Sequence, residues 1–344
     1  MSAMGNSTLK PHHHHLDRTQ TFEYQLIILI NVHILLAQIL FGVTGNFMNL
    51  IVLLNKTMRS RTNLIFAAMA FADLFLLLFQ LHQVLFILGF IRNSLWYRNH
   101  ARHLFVAASN WLSAVSIWCM TYATIERVQV FRSPFRTSKR NVSLRFILSL
   151  SMIVIFAFLL TFINWFPAEV RQEFFLMPYI SLANTLLVVF IPLIICATLN
   201  ILLIVALRRN TMPMAMLNDC TAQKSLIIAR NKTERKVTIM VTIIISSFII
   251  CNAPGAIITL LITINPNLFD QRSLRFTLIT TISNSLTITG KVLNFVLFCL
   301  SSEHFRALLK RRILNLAGRW RHKPSRRNTF STATKTYSMP LYDL

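Results

Sequence analysis

The chain has 344 residues, of which 54% are hydrophobic and 13% are charged, and its formal net charge is +24. A soluble domain of this length has no use for so much apolar surface, so the composition indicates a membrane protein. The net charge alone would also suit a nucleic-acid-binding protein, but the placement of the basic residues described below argues against nucleic acid as a partner.

Residues 1–24 are predicted to form an extracellular N-terminal arm. They lack a basic region followed by a short apolar stretch and a small-residue cleavage site, so we expect no removable signal peptide. Asn6 begins the sequon Asn6-Ser7-Thr8 and is a predicted glycosylation site. The run from His12 to His15 favours a solvated arm over a metal site, and neither a metal nor a cofactor is predicted.

Seven apolar runs follow the arm. Each is long enough to cross a bilayer, which takes about 20 residues, and each must be helical because lipid offers backbone groups no hydrogen-bond partner. The sequence therefore predicts an all-α membrane protein built as a seven-transmembrane helix bundle. The predicted spans are residues 25–54, 63–90, 103–131, 143–166, 178–208, 236–263 and 275–300.

The segment SSEHFRALLKRRIL after the seventh span is amphipathic. Its apolar residues fall on one helical face and its basic residues on the rest, which predicts a short eighth helix on the inner leaflet. The predicted receptor domain, with this helix included, is 25–314. Residues 315–344 are basic and rich in Ser and Thr, which predicts a disordered cytoplasmic tail.

The positions of Lys and Arg predict the orientation of the bundle. Of the 35 such residues, 26 fall in segments on one side of the predicted spans and eight on the other, and Lys291 lies inside the seventh span. Basic residues accumulate on the cytoplasmic side, so we expect the N-terminus outside and the C-terminus inside. The inner charge also predicts attraction to anionic membrane lipids.

The five cysteines do not predict a disulfide framework. They lie inside apolar runs or in a linker predicted to be cytosolic, and none lies in a predicted outer segment. No spacing among them is typical of a zinc site.

Motifs inside the spans are in register with a known family. The first span contains GVTGNFMNLIVLL, the second NLIFAAMAFADLFLL, the third SIWCMTYATIERVQVF, the sixth FIICNAP and the seventh NFVLF. Together they resemble the rhodopsin-like (class A) G-protein-coupled receptors over most of the chain. The stretch MRSRTNLIFAAMAFADL resembles the invertebrate FMRFamide- and myosuppressin-type neuropeptide receptors.

The resemblance implies an activation switch at the inner end of the bundle. Arg127 matches the arginine of the Asp/Glu-Arg-Tyr motif, and Glu234 matches the acid that restrains it. An arginine held by carboxylates favours a closed inner face, and its release lets the sixth span move. Charges at a helix end are the ordinary alternative. The implied switch residues are Glu126, Arg127, Glu234, Asn252, Pro254, Asn294 and Phe298.

The chain departs from the family pattern at several switch positions. Asn252 replaces the sixth-span tryptophan, and Phe298 replaces the tyrosine of the Asn-Pro-x-x-Tyr motif. Arg102 stands where the family carries a third-span cysteine, so the usual outer disulfide is not expected.

Asp73 and Lys291 are the two ionisable residues deep inside the predicted spans. Charges in hydrocarbon are costly, so each needs a partner. In the resembling family a sodium ion occupies the space around the second-span aspartate, and we predict that the Lys291 ammonium replaces it. The alternative, that Lys291 snorkels to an interface, is less favoured because it lies about nine residues from the inner end. The predicted site comprises Asn46, Asp73, Ser116, Lys291 and Asn294.

The outer half of the bundle is the predicted ligand site. Ser109 stands where amine receptors of the family carry an aspartate, so an amine lacks that anchor. The mouth is rich in Arg and His, which favours an acidic or neutral ligand. Any one polar residue here could instead serve helix packing. The candidate lining residues are Gln80, Gln83, Ser109, Asn110, Asn184, Asn252, Asn284 and Thr287.

These features predict a receptor that transduces an extracellular ligand, a neuropeptide in this interpretation, to heterotrimeric G proteins. Thr329 is a candidate phosphorylation site, and the phosphorylated tail a candidate arrestin site. No nucleophile–base pair or phosphate loop indicates an enzyme. Two alternatives stay open: a chemosensory receptor for small molecules, and a transporter or channel, although the internal repeats typical of transporters are not found.

Overall fold

The computed structural model describes residues 18–58, 60–132, 144–167, 170, 176–209, 221–265 and 267–321. All regular secondary structure in these ranges is helical, and we label the helices α1 to α8 in chain order. Four helices are uninterrupted: α2 is Arg61–Ile87, α6 is Thr221–Ile264, α7 is Leu274–Ser301 and α8 is Glu303–Arg321. Two contain a π-helical turn: α1 comprises Arg18–Ile28, the turn Leu29–Ile34 and Leu35–Leu53, and α5 comprises Met177–Thr185, the turn Leu186–Phe190 and Ile191–Arg209. Helix α3 begins with the π-helical turn Tyr97–Ala101 and continues as Arg102–Arg132, and α4 is Leu144–Thr161 followed by the 3-10 turn Phe162–Trp165.

Helices α1 to α7 are each long and apolar enough to cross a membrane, which confirms the predicted fold class. The membrane-spanning parts agree with the predicted runs to within a few residues at most ends. Helix α3 starts earlier, at Tyr97, where the Ser94 hydroxyl accepts a hydrogen bond from the Tyr97 backbone N–H at 3.3 Å. Helix α6 starts earlier as well, at Thr221, because its polar first part contains neither Pro nor Gly.

Serine side chains define three helix starts. Ser60 accepts from the backbone N–H of Asn63 at 3.2 Å at the start of α2, and Ser273 caps α7 by accepting from Phe276 at the same distance. The Ser302 hydroxyl accepts from the backbone N–H of Phe305 at 3.1 Å, between α7 and α8. Each hydroxyl satisfies a donor that lacks a partner in the first helical turn, and the last of them sets the turn from α7 into the surface helix.

Helix α3 contacts more of the other helices than any other member of the bundle. Among the other helices α1 packs on α2 and α7, α5 packs on α6, and α6 packs on α7, while α3 contacts α2, α4, α5 and α6. The interior buries polar as well as apolar side chains. Because lipid tails are as apolar as leucine, close packing and interhelical hydrogen bonds hold such a bundle together.

Aromatic contacts hold the start of α3 at the position where the resembling family has a disulfide. The Arg102 guanidinium lies 5.6 Å from the centre of the Phe86 ring. The His82 and Phe105 rings stack at 5.1 Å, and Phe86 lies 5.8 Å from Tyr97. These contacts join α2 to α3 without a covalent bond. Four cysteines fall within the described residues and all are free: Cys119, Cys196, Cys251 and Cys299.

Some predictions concern segments that the structure does not describe. Asn6 and Thr329 lie outside the described residues, as do residues 1–17 and 322–344. Within the described part, α1 begins at Arg18 rather than at residue 25, and α8 continues to Arg321, past the predicted end of the surface helix at residue 314. Residues 315–321 contain no Pro, and Gly318 lowers helix propensity by about 1 kcal/mol without breaking the helix.

Gly45 permits the close approach of α1 and α7. A Cβ atom at Gly45 would lie 2.8 Å from Phe295 Cβ, whereas one at Gly255 would meet nothing nearer than the Ser283 hydroxyl at 3.3 Å. We expect Gly45→Ala to cost about 1–3 kcal/mol through overpacking, measured as a lower melting temperature of the purified receptor. Gly255→Ala is the matched control, since both changes improve helix propensity equally. Equal stability of the two variants would contradict the prediction.

Candidate functional site

A buried ion pair lies between α2 and α7. Lys291 Nζ is 3.0 Å from Asp73 Oδ1, and the two side chains are 7% and 0% exposed. The second carboxylate oxygen, Asp73 Oδ2, accepts from Asn294 Nδ2 at 3.3 Å. The lysine side chain is thus directed at the aspartate within the bundle rather than at an interface. Both oxygens of the carboxylate are hydrogen-bonded, which is what a buried charge requires.

The other predicted members of this polar site lie on α1 and α3. Asn46 Nδ2 donates to the Gly42 carbonyl at 3.0 Å and lies 3.5 Å from the Lys291 carbonyl, so it links α1 to α7. Ser116 is buried on α3, with 2% of its surface exposed. Asn49, which is fully buried, was not among the residues predicted from the sequence. Its spacing of three residues from Asn46, which places both on one helical face, was the available signal.

A polar cavity of about 230 Å³ opens at the end of the bundle where α1 begins. It lies between α1, α2, α3 and α7, and Lys291 is among the residues that line it. Six predicted ligand-site residues line this cavity: Gln80, Gln83, Ser109, Asn110, Asn284 and Thr287.

Two predicted ligand residues, Asn184 and Asn252, do not line this cavity. They belong to α5 and α6, which supply none of the residues that line it. The Asn252 amide donates to the Phe248 carbonyl of its own helix at 2.8 Å. Its hydrogen-bonding capacity is therefore used in part within α6.

Helices α1 and α7 supply lining residues that sequence analysis did not identify. Gln38 Nε2 lies 3.0 Å from the Ser285 hydroxyl and 2.8 Å from the Thr289 hydroxyl, and Gln83 Nε2 donates to Asn31 Oδ1 at 3.1 Å. Asn31 and Gln38 are seven residues apart, two helical turns, and so share a face. The lining residues not predicted from sequence are Ile30, Asn31, Leu35, Gln38, Leu76, Ser113, Thr281, Ser285 and Ile288.

Two polar atoms of the lining side chains keep unused hydrogen-bonding capacity. The Ser109 hydroxyl and Gln38 Oε1 are buried and have no hydrogen-bond partner among the described residues. Ser109 is 5% exposed. Buried polar atoms are usually paired, so these two mark where a ligand could form hydrogen bonds.

The predicted switch lies at the opposite end of the bundle. Arg127 is buried near the end of α3, with 6% of its surface exposed. The Glu126 carboxylate lies 3.7 Å from Arg61 Nη1 on α2, so this acid links α3 to α2. Glu234 belongs to α6, but its side chain is outside the described ones. The contact between Arg127 and Glu234 therefore stays a prediction.

Phenylalanines pack together where α2 starts, α7 ends and α8 starts. The Phe298 ring is stacked on Phe305 at 5.6 Å and meets the edge of Phe66 at 5.2 Å. All three side chains are almost completely buried. A separate hydrogen bond joins α5 and α6, from Asn200 Nδ2 to the Ser246 hydroxyl at 2.9 Å. Pro254 lies inside α6, between Ser246 and the end of the helix at Ile264.

Seven membrane-spanning helices around a polar cavity, followed by an amphipathic surface helix, define a heptahelical membrane receptor. A sequence profile of the 7 transmembrane receptors (rhodopsin family) matches residues 45–294 of the chain. The chain belongs to this family, which is one of receptors rather than enzymes.

Two proteins of Caenorhabditis elegans are similar to the chain. One is a putative G-protein coupled receptor, 29% identical, with the similarity covering 79% of this chain and 70% of the relative. The other is a probable G-protein coupled receptor, 24% identical, with 77% of this chain and 65% of the relative covered. The resemblance to class A receptors is thereby confirmed, and the neuropeptide subgroup stays a prediction.

Proposed function

We propose that this rhodopsin-family receptor signals through heterotrimeric G proteins from the plasma membrane, with its N-terminus outside. The observation that carries the proposal is the polar cavity at one end of the bundle, with the buried Arg127 at the other end. The names of the two nematode relatives support coupling to G proteins. The excess of basic residues beside Arg127 supports the orientation, since such residues favour the cytoplasmic side.

The proposed mechanism is a population shift between a closed and an open inner face. In the proposed closed state the hydrogen bond from Asn200 to Ser246 joins α5 to α6. The contact between the Phe298 and Phe305 rings joins α7 to α8. A ligand that binds the open state better displaces the equilibrium toward it. Helix α6 contains Pro254, a site at which a membrane helix can bend. Bending there would separate the inner part of α6 from α5 and admit the G protein.

The ligand proposed from the sequence resemblance is a neuropeptide. The cavity supports a second candidate, a chemosensory receptor for small molecules, because about 230 Å³ is below the roughly 300–1,000 Å³ typical of pockets for drug-sized ligands. Such a space takes a small molecule or one end of a peptide. A calcium or cAMP response of receptor-expressing cells to an amidated-peptide library, compared with a small-metabolite library, separates the two candidates.

Basal signalling of Glu234→Ala tests the proposed switch without a ligand. Removing the predicted partner of Arg127 should raise basal cAMP or inositol phosphate above the wild-type level at matched surface expression. Glu303→Ala is the matched control, because this carboxylate also lies on the proposed cytoplasmic side, at the start of α8, and its 3.9 Å contact with Lys236 of α6 is solvent-exposed and contributes little. Equal basal signalling in wild type and Glu234→Ala would count against the restraint of Arg127 by Glu234.

Arrestin and anionic lipids are further proposed partners. Phosphorylation of tail residues such as Thr329 would create negative charge for arrestin to recognise. Helix α8 carries exposed Arg306, Lys310 and Arg311, which suit the negatively charged inner leaflet.

A further inference from the structure

The charge at the base of the ligand cavity points to the chemistry of the ligand. Among the residues that line the cavity, Lys291 is the one that carries a formal charge. The others are apolar residues, amides and hydroxyls on four helices. A ligand that enters the cavity therefore meets the cationic member of the Lys291–Asp73 ion pair, while the Asp73 carboxylate does not line the cavity.

The Lys291 ammonium has donors left after pairing with Asp73. An ammonium has three N–H donors, and within the described part of the chain one acceptor, Asp73 Oδ1 at 3.0 Å, lies within hydrogen-bond distance of Lys291 Nζ. The other oxygen of the same carboxylate receives its hydrogen bond from Asn294. Asp73 is thus occupied from two sides, whereas Lys291 can donate to a further acceptor. In a buried site an anionic acceptor forms the stronger hydrogen bond.

The electrostatic potential at the mouth of the cavity is positive as well. In the outer loops and helix ends that the structure describes, five exposed arginines stand against two carboxylates. Both carboxylates have partners: Glu23 Oε1 lies 3.2 Å from Arg275 Nε, and Asp270 accepts from the backbone N–H of Arg272 at 3.1 Å. A positive mouth raises the local concentration of anions and speeds their association. The arginines are Arg92, Arg98, Arg102, Arg272 and Arg275.

We propose that the receptor recognises a carboxylate group, which Lys291 binds at the base of the cavity. The inference rests on the proposed function, in which this cavity is the ligand site. The buried Ser109 hydroxyl, which has no partner among the described residues, can donate to the carboxylate. Gln38 Oε1 is likewise unpartnered and can only accept, from an N–H or O–H elsewhere on the ligand. The carboxylate belongs either to a small organic acid or to the free C-terminus of a peptide. An amidated C-terminus cannot supply it.

Matched acid and amide probes test this inference on the purified full-length receptor in lipid nanodiscs. The first pair is benzoate and benzamide, and the second is tetra-alanine with a free and with an amidated C-terminus. Binding is measured by thermal stabilisation of the receptor as a function of probe concentration. We expect an acid to bind at least about tenfold more tightly than its amide, since one charge-assisted hydrogen bond is worth that factor.

Two variants assign the preference to Lys291. Lys291→Arg keeps a cation and should keep the acid preference. The double variant Asp73→Asn, Lys291→Met removes both charges without stranding either, and the acid preference should disappear in it. A preference in the first pair identifies a small acid as the source of the carboxylate, and a preference confined to the second pair identifies a peptide C-terminus.

The proposal is overturned if neither acid binds more tightly than its amide, or if the double variant keeps the preference. These outcomes do not depend on a G protein, so a failure of coupling leaves the test intact. Conversely, raised basal signalling of Glu234→Ala together with no acid preference would retain the proposed function and remove the carboxylate inference alone.

Discussion

Replacement of Lys291 by Met alone should lower the free energy of unfolding by about 3–5 kcal/mol, the usual cost of removing one member of a buried ion pair. The pair is short, with 3.0 Å between Lys291 Nζ and Asp73 Oδ1, and the Asp73 side chain is fully buried. The variant keeps the aspartate in the interior without its cation. Thermal melting of the purified receptor, with surface expression as a second readout, measures the loss.

The double variant Asp73→Asn, Lys291→Met is the control for this prediction. It removes both charges and should recover most of the lost stability, because a neutral pair of similar volume is often as stable as a buried ion pair.

The response to sodium is a second control. If the ammonium stands in for a bound cation, sodium chloride should stabilise Lys291→Met more than wild type, in proportion to its occupancy beside Asp73. Equal stability of Lys291→Met and wild type in potassium salts would contradict the prediction.

The seven spans could be predicted from sequence because a lipid-facing helix must be apolar along its whole membrane-embedded length. The same signal does not report where a helix continues beyond the lipid. Helix α6 extends back to Thr221 through polar residues. Hydropathy places its start near residue 236, because it detects only the apolar part of the helix that lies in the membrane. Helix propensity and the absence of Pro and Gly determine how far the helix continues outside the membrane.

The residues of the candidate site could be predicted where a charged side chain occurs within an apolar segment. Asp73 and Lys291 are conspicuous because they are charged inside apolar helices, and the structure places them in contact. Asn31 and Gln38 were missed because each is one amide among many apolar residues of α1. Only the contacts of α1 with α2 and α7 bring them to the cavity.

Neighbouring residues on a helix need not face the same partner. Glu126 precedes Arg127, but successive side chains point about 100° apart around a helix with 3.6 residues per turn. Glu126 accordingly faces Arg61 on α2, while Arg127 is buried. The sequence motif identifies both residues as one unit, whereas the geometry gives Glu126 a contact with a different helix.

Phe298→Ala should cost about 3–5 kcal/mol, as large-to-small changes of buried aromatic residues do. The Phe298 ring packs at 5.6 Å on Phe305 and at 5.2 Å against the edge of Phe66, and it is 1% exposed. Removal of the ring leaves a void between α2, α7 and α8 that neither lipid nor neighbouring side chains can readily fill. Melting of the receptor in nanodiscs measures the loss.

Phe47→Ala is the control that separates packing from hydrophobicity. Phe47 is 53% exposed on α1, where lipid tails can occupy the space of the missing ring, so its replacement should have a much smaller effect. Phe298→Tyr restores the residue typical of the family and keeps the ring, and it should cost less than Phe298→Ala. If Phe298→Ala and Phe47→Ala lowered the melting temperature equally, the aromatic cluster would not be the contact that holds α8 against α2 and α7.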